Sequence, residues 1–362
     1  MKKIAIDARW MIGDYRGMGR YAHNLISPIK DLVIGLVPNG VSVEGFSGIS
    51  SGNSFFPWWE QVVLPRLTDK NKFDFLVCPY NTAPIFKPDN TKLVLVVHDL
   101  IFLRSFQELP VSVSLYQTLG RLYRRWNIRH VIAKADVLIT VSEFTKSEIQ
   151  SKFSIDGSNI KVIPNSISND WLNKNFLPIG ERSPYIFTVG GNAPSKNINR
   201  LIHAFAIAKK TLPENCRLKI AGINESYHDV FISYAKKFGV EGHVDFIGFI
   251  SDSELKTLYV NARSFIFASL FEGFGIPLIE AMASGTPIVC SDSTSLPEVV
   301  GDCALLFNPV DVQDISDSII QIMTDDELSE KLVLGAQDRV GQFLENNVKN
   351  QYIKLWEELN VC

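Results

Sequence analysis

Residues 269–287 read S-L-F-E-G-F-G-I-P-L-I-E-A-M-A-S-G-T-P, and a short apolar run ends just before them, near Ala268. An apolar run of this length is typical of a buried strand. Gly273 and Gly275 permit a tight turn after the strand, and Pro277 suits the first turn of a helix. Because a helix start carries about half a positive charge and unpaired N–H groups, this segment predicts a site for an anion such as a diphosphate.

Two carboxylates flank this predicted anion site. Glu272 lies in the turn and Glu280 lies in the helix. A carboxylate accepts several hydrogen bonds, so each side chain can hold the vicinal hydroxyls of a ribose or a pyranose. The alternative is that Glu280 caps its own helix and that Glu272 is a solvated loop residue. These residues alone leave both interpretations open, because glycine-rich turns between a strand and a helix are common.

Apolar runs of strand length alternate with amphipathic segments along the rest of the chain. Such runs with crossover helices predict buried parallel strands, and hence an α/β fold of two Rossmann-like doubly wound domains. The first series of runs is 4–6, 32–37, 75–78, 93–97, 137–141 and 161–163. The second series is 185–189, 217–221, 244–247, 264–268, 287–290 and 304–307.

The domain boundaries follow from a turn-forming segment that lies between the two series of apolar runs. Residues 165–183 are rich in Pro, Gly and Asn without periodicity, which predicts a linker. We divide the chain into a first domain at 1–175 and a second at 176–345. The remaining segment, 346–362, has a helical pattern with no strand after it, and we expect this helix to pack back on the first domain.

Composition excludes several classes of protein. The 362 residues are 46% hydrophobic and carry a formal charge of −3, so there is no basic field of the kind that nucleic-acid binding needs. The five cysteines are widely spaced and include no C-x-x-C pair, which argues against disulfides and zinc and indicates a reducing compartment. No apolar run suits a signal peptide or a spanning helix. We expect a cytoplasmic protein that at most touches the inner membrane from its cytoplasmic face.

The sixteen-residue string E-G-F-G-I-P-L-I-E-A-M-A-S-G-T-P, from Glu272 to Pro287, resembles the E-x7-E signature of the retaining GT-B enzymes in glycosyltransferase family 4. The resemblance implies two Rossmann-like domains facing a cleft, the first binding an acceptor and the second a nucleotide-sugar donor. It implies that Glu280 binds the ribose hydroxyls and that Glu272 sits against the sugar ring. The backbone of Gly273, Phe274 and Gly275 would then line the sugar and the phosphates.

A second string, V-G-G-N-A-P-S-K-N, covers residues 189–197 and resembles the family's first turn in the donor domain. The resemblance implies that the turn beginning at Gly190 lines the donor and that Lys196 contacts the diphosphate. An ammonium there would stabilise charge on the leaving group. The family often adds an arginine, at the position of Gly191 or of Ser195, and this chain has none there.

Three further positions resemble family sites. His98 follows a buried strand in V-H-D-L-I, as does a family histidine that faces the donor sugar. Phe249 and Ile250 match a turn whose backbone holds the nucleotide base. Gly17 and Gly19 belong to a long glycine loop that resembles the loop near the donor phosphates. These two glycines do not form a dinucleotide fingerprint, because they start too far after the first strand and no acidic residue ends the second.

Two surfaces are candidates for the acceptor side. Leu115, Leu119, Leu122 and Trp126 recur at helical spacing, with Arg121, Arg124, Arg125 and Arg129 on the adjoining flank. Such a helix either rests on anionic lipid or is a core helix with solvated arginines. The cluster F-F-P-W-W-E-Q at 55–61 either lies at an interface or is core. P-W-W-E-Q and P-Y-N-T-A-P resemble strings of the family's bacterial surface-polysaccharide subgroup, whose mannosyltransferase-like members use lipid-linked acceptors.

These observations predict a retaining hexosyltransferase of O-antigen or capsule synthesis, with His98, Lys196 and Glu272 catalytic. The expected donor is GDP-mannose, with dTDP-rhamnose or a UDP-hexose as alternatives, and the expected acceptor is a lipid-linked oligosaccharide. No D-x-D occurs in the chain, so we expect neither a metal nor another cofactor. The alternatives are a nucleotide-sugar 2-epimerase of the same fold, a non-catalytic sugar-nucleotide sensor and, least favoured by the sequence, an NAD-dependent oxidoreductase.

Overall fold

The computed structural model describes residues 2–11, 17–110, 115–173 and 176–361. The chain divides into two compact units. Unit 1 comprises residues 1–104, 113–166 and 346–362, and unit 2 comprises residues 105–112 and 167–345. The division after residue 166 precedes the sequence-based division after residue 175, and the short segment 105–112 groups with unit 2.

Unit 1 contains a parallel sheet. Within the described residues its seven strands have the order β3-β2-β1-β4-β5-β6-β7, so β1 pairs with β2 on one side and β4 on the other. The strands are β1 Ile4–Asp7, β2 Val33–Val37, β3 Ser47–Ser50, β4 Phe75–Cys78, β5 Lys92–Val97, β6 Val137–Thr140 and β7 Ile160–Val162. Strands β1 and β4 are buried along their whole length, as expected where helices cover both faces of a parallel sheet.

Unit 2 contains a second parallel sheet. Its described strands have the order β10-β9-β8-β11-β12-β13, which reverses direction between β8 and β11. The strands are β8 Ser183–Val189, β9 Arg217–Ala221, β10 Val244–Gly248, β11 Ala262–Phe267, β12 Ile288–Ser291 and β13 Leu305–Phe307. Ligands in open α/β sheets bind beyond the carboxyl ends of the strands at such a reversal.

Helices connect the strands in both units. Those of the first half are α1 Met18–Ile26, α2 Phe56–Trp58, α3 Leu64–Asn71, α4 Leu115–Val131 and α5 Glu143–Phe153. The others are α6 Ile198–Ala208, α7 His228–Lys237, α8 Asp252–Asn261, α9 Ile276–Ala283, α10 Leu296–Val300, α11 Val312–Thr324, α12 Asp326–Val340 and α13 Glu345–Glu358. A π-helical turn, Trp59–Val63, joins α2 to α3.

The last helix, α13, packs within unit 1. Tyr352 and Trp356 are buried on one of its faces. Trp356 Nε1 donates a hydrogen bond to the Leu25 carbonyl oxygen at 2.8 Å, and the Tyr352 ring meets the Tyr21 ring edge-on at 5.8 Å. Helix α13 therefore completes the covering of α1.

The sequence-based strand assignment is confirmed for the twelve predicted runs and misses β3. Ser47–Ser50 has the sequence S-G-I-S, is mostly exposed and lies at the sheet edge, so it lacks the apolar run that identifies a buried strand.

The division between the units after residue 166 falls within the predicted linker at 165–183, and the later part of that segment belongs to unit 2. Arg182 is buried and donates hydrogen bonds to the carbonyl oxygens of Leu177, Val260, Ala262 and Gly285. A guanidinium has five N–H donors in a fixed plane, and here it fastens the segment to unit 2.

Candidate functional site

The glycine turn between β11 and α9 is held by hydroxyl groups from the neighbouring loop after β12. Ser295 Oγ donates to the carbonyl oxygens of Glu272 and Phe274 at 3.1 and 3.0 Å. The backbone N–H of Glu272 donates to Thr294 Oγ1 at 3.3 Å. The turn is therefore fixed at the carboxyl edge of the sheet before any ligand binds.

Gly275 must be glycine for this turn to form. Its φ is +114°, a conformation that L side chains rarely adopt, and it caps the start of α9. A Cβ atom there would lie 2.9 Å from Leu296 Cδ2. Phe274 is buried and its ring meets Phe343 edge-on at 5.6 Å, so only the backbone of Phe274 is available to line a site.

Lys196 and Glu272 meet at this edge. The distance between Lys196 Nζ and Glu272 Oε1 is 2.6 Å, and both side chains are partly exposed. Lys196 lies in the 3₁₀ turn Pro194–Lys196, and Asn197 after it has a φ of +58°. The Asn197 side-chain amide donates to the carbonyl oxygens of Ala268 and Pro309, which secures that backbone against β11. Two residues that the sequence places 76 apart thus form one charged pair beside the start of α9.

Glu280 is buried inside α9 with a specific partner. Tyr259, at the end of α8, is fully buried, and its hydroxyl donates to Glu280 Oε2 at 3.1 Å. Burial, together with the adjacent Glu280 carboxyl, raises the pKa of Tyr259 well above its ordinary value, so the hydroxyl keeps its proton and remains a donor. Sequence reasoning missed Tyr259, because a tyrosine among the apolar positions of a helix gives no signal of such a role.

Three other predicted donor residues lie in unit 2 after β8 and β10, the two strands that flank β9 in the sheet. A Cβ atom on Gly190 would lie 2.8 Å from Ile198 Cδ1, so a larger residue there would need the Ile198 side chain in α6 to shift. Phe249 follows β10 and is 71% exposed, and Ile250 comes next in the same turn. The predicted donor roles of Gly190, Phe249 and Ile250 stay predictions.

His98 lies in unit 1, directly after β5, and is buried. Its Nε2 lies 2.9 Å from the Pro79 carbonyl oxygen, and its backbone N–H donates to Asn81 Oδ1 at 2.6 Å. Burial lowers the pKa of His98 to about 4. Because a carbonyl oxygen can only accept, Nε2 carries the proton and Nδ1 is left as a hydrogen-bond acceptor. The ring therefore suits contact with a hydroxyl group near neutral pH.

The glycine loop after β1 is described at its start, residues 8–11, and from Gly17 onward. Gly17 has φ +55° and ψ −115° at the start of α1, a conformation that favours glycine, and Gly19 is buried in the first turn of that helix. Residues 12–16 of the predicted loop lie outside the described residues.

The exposure of the side chains shows whether each of the two surface candidates of unit 1 lies at the surface or in the core. Leu119, Leu122 and Trp126 are 57%, 44% and 49% exposed, so α4 presents this apolar face to solvent, while the Leu115 side chain lies outside the described residues. Phe55 and Trp58 are exposed as well, whereas Trp59 is buried, so the aromatic cluster is part surface and part core.

The arginines of α4 are not all solvated. Arg121 and Arg125 donate to carbonyl oxygens in the segment 102–104, which fastens α4 to unit 1, whereas Arg129 is exposed.

No helix within the described residues is long and apolar enough to cross a membrane. In the same residues no cluster of three histidine, cysteine or acidic side chains is arranged to hold a metal ion. The expected independence of metal stays a prediction.

Comparison with protein families and known proteins gives consistent matches. The family model described as Glycosyl transferases group 1 matches residues 169–339, and the model described as Glycosyltransferase Family 4 matches residues 16–171. The O-antigen chain mannosyltransferase B of Escherichia coli is 32% identical over 249 residues, which cover 66% of this chain and 64% of that protein. The O-antigen chain mannosyltransferase RfbU of Salmonella typhimurium is 32% identical over 232 residues, covering 63% and 64%. The match thus spans less than two thirds of each relative's own length.

Among solved structures, the sucrose-phosphate synthase from Thermosynechococcus elongatus superposes with a TM-score of 0.76 over 99% of both chains. Its sequence identity to this chain is 18%, so the likeness concerns the fold alone.

Proposed function

This chain belongs to glycosyltransferase family 4 and has the GT-B fold, and from that premise we propose that it transfers a hexose from a nucleotide diphosphate sugar to a sugar hydroxyl of a lipid-linked glycan. We propose O-antigen or capsule synthesis as its role and mannose as the sugar, supported by relatives named as O-antigen mannosyltransferases.

The observation that carries this proposal is the meeting of Lys196 and Glu272 at the start of α9. An ammonium beside a helix N-terminus stabilises a bound diphosphate and the charge that develops as it leaves. Glu272 is then within reach of a sugar attached to that diphosphate. Glu280, oriented by Tyr259, supplies a carboxylate to the ribose hydroxyls. Phe249 and Ile250 lie in the turn proposed to hold the base.

The proposed reaction keeps the configuration at the anomeric carbon. The bond from that carbon to the diphosphate oxygen breaks, and a bond to the acceptor oxygen forms on the same face. The acceptor proton passes to the departing diphosphate oxygen. His98, neutral near pH 7, accepts a hydrogen bond from a hydroxyl of the donor sugar at Nδ1. No metal takes part on this proposal, because Lys196 and the amides near α9 balance the charge of the leaving group.

We place the reaction at the cytoplasmic face of the inner membrane. Lipid-linked acceptors are confined to a bilayer, and α4 presents Leu119, Leu122 and Trp126 to solvent beside basic side chains. The four described cysteines are free and buried, which suits a reducing compartment.

The experiment that tests the donor site is titration calorimetry with GDP, UDP and dTDP, with and without magnesium. We expect one nucleotide to bind without metal and the variants Lys196→Ala and Glu280→Ala each to weaken it by about tenfold or more, as loss of a charge-assisted contact does. The control is Lys331→Ala, which removes an exposed lysine on α12 of the same unit.

The outcomes separate the alternatives. Failure of all three nucleotides to bind, or equal binding by wild type and the two variants, would contradict the proposed donor site. Release of an epimerised sugar without acceptor would indicate a 2-epimerase. Nucleotide binding without transfer to any lipid-linked acceptor would indicate a sensor. Turnover that stops with EDTA and returns with manganese would overturn the metal-free mechanism.

A further inference from the structure

A buried ion cluster lies at the carboxyl end of β1 in unit 1. Arg9 Nη2 lies 2.9 Å from Asp7 Oδ2 and 3.0 Å from Glu60 Oε2. Asp7 ends β1, and Glu60 comes from the π-helical turn Trp59–Val63. Such turns occur often at functional sites. The three charged side chains are almost completely buried.

The two carboxylates of this cluster are well supplied with hydrogen-bond donors. Trp59 Nε1 donates to Asp7 Oδ1 at 3.1 Å. Thr82 Oγ1 and the Tyr123 hydroxyl each donate to Glu60 at 2.6 Å. Because these donors come from three separate segments, the π-helical turn, the loop after β4 and α4, the carboxylates and the guanidinium between them are held in one arrangement.

The Arg9 guanidinium has N–H groups that do not take part in these ion pairs. Arg9 Nε and Nη1 are buried and have no hydrogen-bond partner within the described part of the chain. The Tyr80 hydroxyl is buried beside the backbone N–H of Trp10, which can only donate to it, so the Tyr80 O–H proton also lacks an acceptor there. Buried donors without protein partners are rare in native proteins, so these donors are candidates for hydrogen bonds to a ligand.

Aromatic rings surround these donors. The Phe56 ring centre lies 4.0 Å from the guanidinium carbon of Arg9, and the Tyr80 ring centre lies 6.0 Å from it. Trp10 meets Tyr80 edge-on at 6.2 Å and is itself half exposed. An exposed aromatic face next to buried hydrogen-bond donors, at the carboxyl end of a parallel strand, suits a ligand with both an apolar face and hydroxyl groups.

The charge of the cluster favours a neutral ligand over an anionic one. The single guanidinium stands between two carboxylates, so the cluster has a formal charge of −1 when both are ionised. An anionic group would be repelled by the two carboxylates that already pair with Arg9. A hydroxyl oxygen is neutral and accepts the N–H bonds that are left over.

We propose that Arg9, Tyr80 and Trp10 form a subsite for a neutral sugar residue of the acceptor. Its hydroxyl oxygens accept hydrogen bonds from Arg9 Nε, Arg9 Nη1 and the Tyr80 O–H, and its ring packs on Trp10. Phe56 covers the guanidinium and is half-buried, so its side chain moves aside on binding. This inference rests on the proposed transfer reaction, for which it names part of the acceptor recognition.

The test is an NMR titration of the full chain with methyl α-D-mannopyranoside, methyl α-D-glucopyranoside and, as the anionic comparison, methyl α-D-glucuronide. We expect wild type to bind a neutral glycoside in preference to the glucuronide. Arg9→Lys keeps the positive charge but removes the planar set of donors, and Tyr80→Phe removes only a hydroxyl. We expect the Kd to rise about tenfold in the first variant and about fivefold in the second and in Trp10→Ala.

The control is Phe86→Ala, which removes another exposed aromatic ring of unit 1, 81% exposed, whose centre lies 5.4 Å from Lys134 Nζ. We expect the Kd of this variant to match that of wild type. Should Arg9→Lys fail to fold, Tyr80→Phe and Trp10→Ala carry the test, since the hydroxyl has no acceptor and the Trp10 ring is half exposed. Equal Kd values in wild type, Tyr80→Phe and Trp10→Ala would overturn the subsite. So would tighter binding of the glucuronide, or no glycoside binding by wild type.

The nucleotide titrations keep this inference distinguishable from the proposed function. We expect Tyr80→Phe and Trp10→Ala to bind the nucleotide as wild type does. Failure of wild type to bind any nucleotide refutes the donor site. If wild type binds the nucleotide normally and these two variants bind the glycoside as tightly as wild type does, only the subsite is refuted.

Discussion

At the scale of single residues, His98 shows how burial selects a chemical form. Its ring bonds to the Pro79 carbonyl oxygen, and Tyr21 meets the ring edge-on at 5.0 Å. With no acidic side chain contributing to its pKa, desolvation dominates and the neutral ring is favoured. The neutral ring has one donor nitrogen and one acceptor nitrogen, which is the form that binds hydroxyl groups.

We expect this residue to make unit 1 sensitive to acid. The His98 pKa is about 4 in the folded protein and near 6.5 when unfolded, so the unfolded state takes up the proton first as the pH falls. The contribution is fully present above pH 6.5 and is lost as the pH falls towards 4. Between about pH 7.5 and about pH 5 the loss is about 2 kcal/mol.

Urea unfolding of wild type and His98→Gln at these two pH values measures this effect. The glutamine variant cannot titrate, so its free energy of unfolding should fall less on acidification. An equal fall in both proteins would show that other groups cause the acid sensitivity.

The residue scale also shows what sequence could and could not predict. Lys196, Glu272 and Glu280 lie in strings specific enough to identify. The structure pairs Lys196 with Glu272 and buries Glu280 in α9 beside Tyr259. Tyr259 and Arg9 were not identified. Their importance depends on partners that are distant in sequence, Glu280 in the first case and Glu60 in the second, and no local pattern encodes such a pairing.

At the scale of elements, α4 combines two kinds of contact on one helix. Arg121 and Arg125 bond inward to backbone carbonyl oxygens, and the apolar side chains at Leu119, Leu122 and Trp126 face outward. Helical periodicity predicted an apolar stripe with a basic flank. It could not tell whether that stripe was core or surface, because both have the same period.

We expect α4 to bind vesicles that contain phosphatidylglycerol. Replacing Leu122 or Trp126 with serine should weaken binding about tenfold or more, because each buried apolar side chain contributes about 1.5–3 kcal/mol. Added salt should weaken binding further by screening the basic side chains. Vesicle sedimentation measures the bound fraction.

The matched control for the membrane surface is Val230→Ser, an exposed apolar residue on α7 of unit 2. It should bind vesicles like wild type. Equal binding by Leu122→Ser and wild type, or equal binding to vesicles without anionic lipid, would contradict the role of α4.

At the scale of the whole molecule, each unit has its own hydrophobic core. In unit 1, Leu76, Leu95 and Leu138 belong to one buried cluster, and in unit 2, Leu218 and Val289 belong to another. Alternating strand and helix patterns predicted these two α/β units. The ends of the units were harder to place, because the packing of 167–183 depends on buried contacts such as those of Arg182 and not on composition.

We expect calorimetry to show two unfolding transitions and the bound nucleotide to raise one of them. At a nucleotide concentration about one hundred times its Kd, the stabilisation is about 2.7 kcal/mol. Lys196→Ala should lose most of this shift while leaving the other transition in place. Equal shifts of both transitions, or none, would contradict a nucleotide site confined to unit 2.

The position of α13 has a consequence for how the protein is made. Unit 2 is nearly continuous in the chain, whereas Trp356, which bonds to the carbonyl oxygen of Leu25 in α1, is synthesised after the described strands of both units. A ribosome therefore completes the sheet of unit 2 while α1 still lacks its cover. Until α13 emerges, the apolar underside of α1 faces water or a chaperone, and unit 1 is the later of the two to reach its final packing.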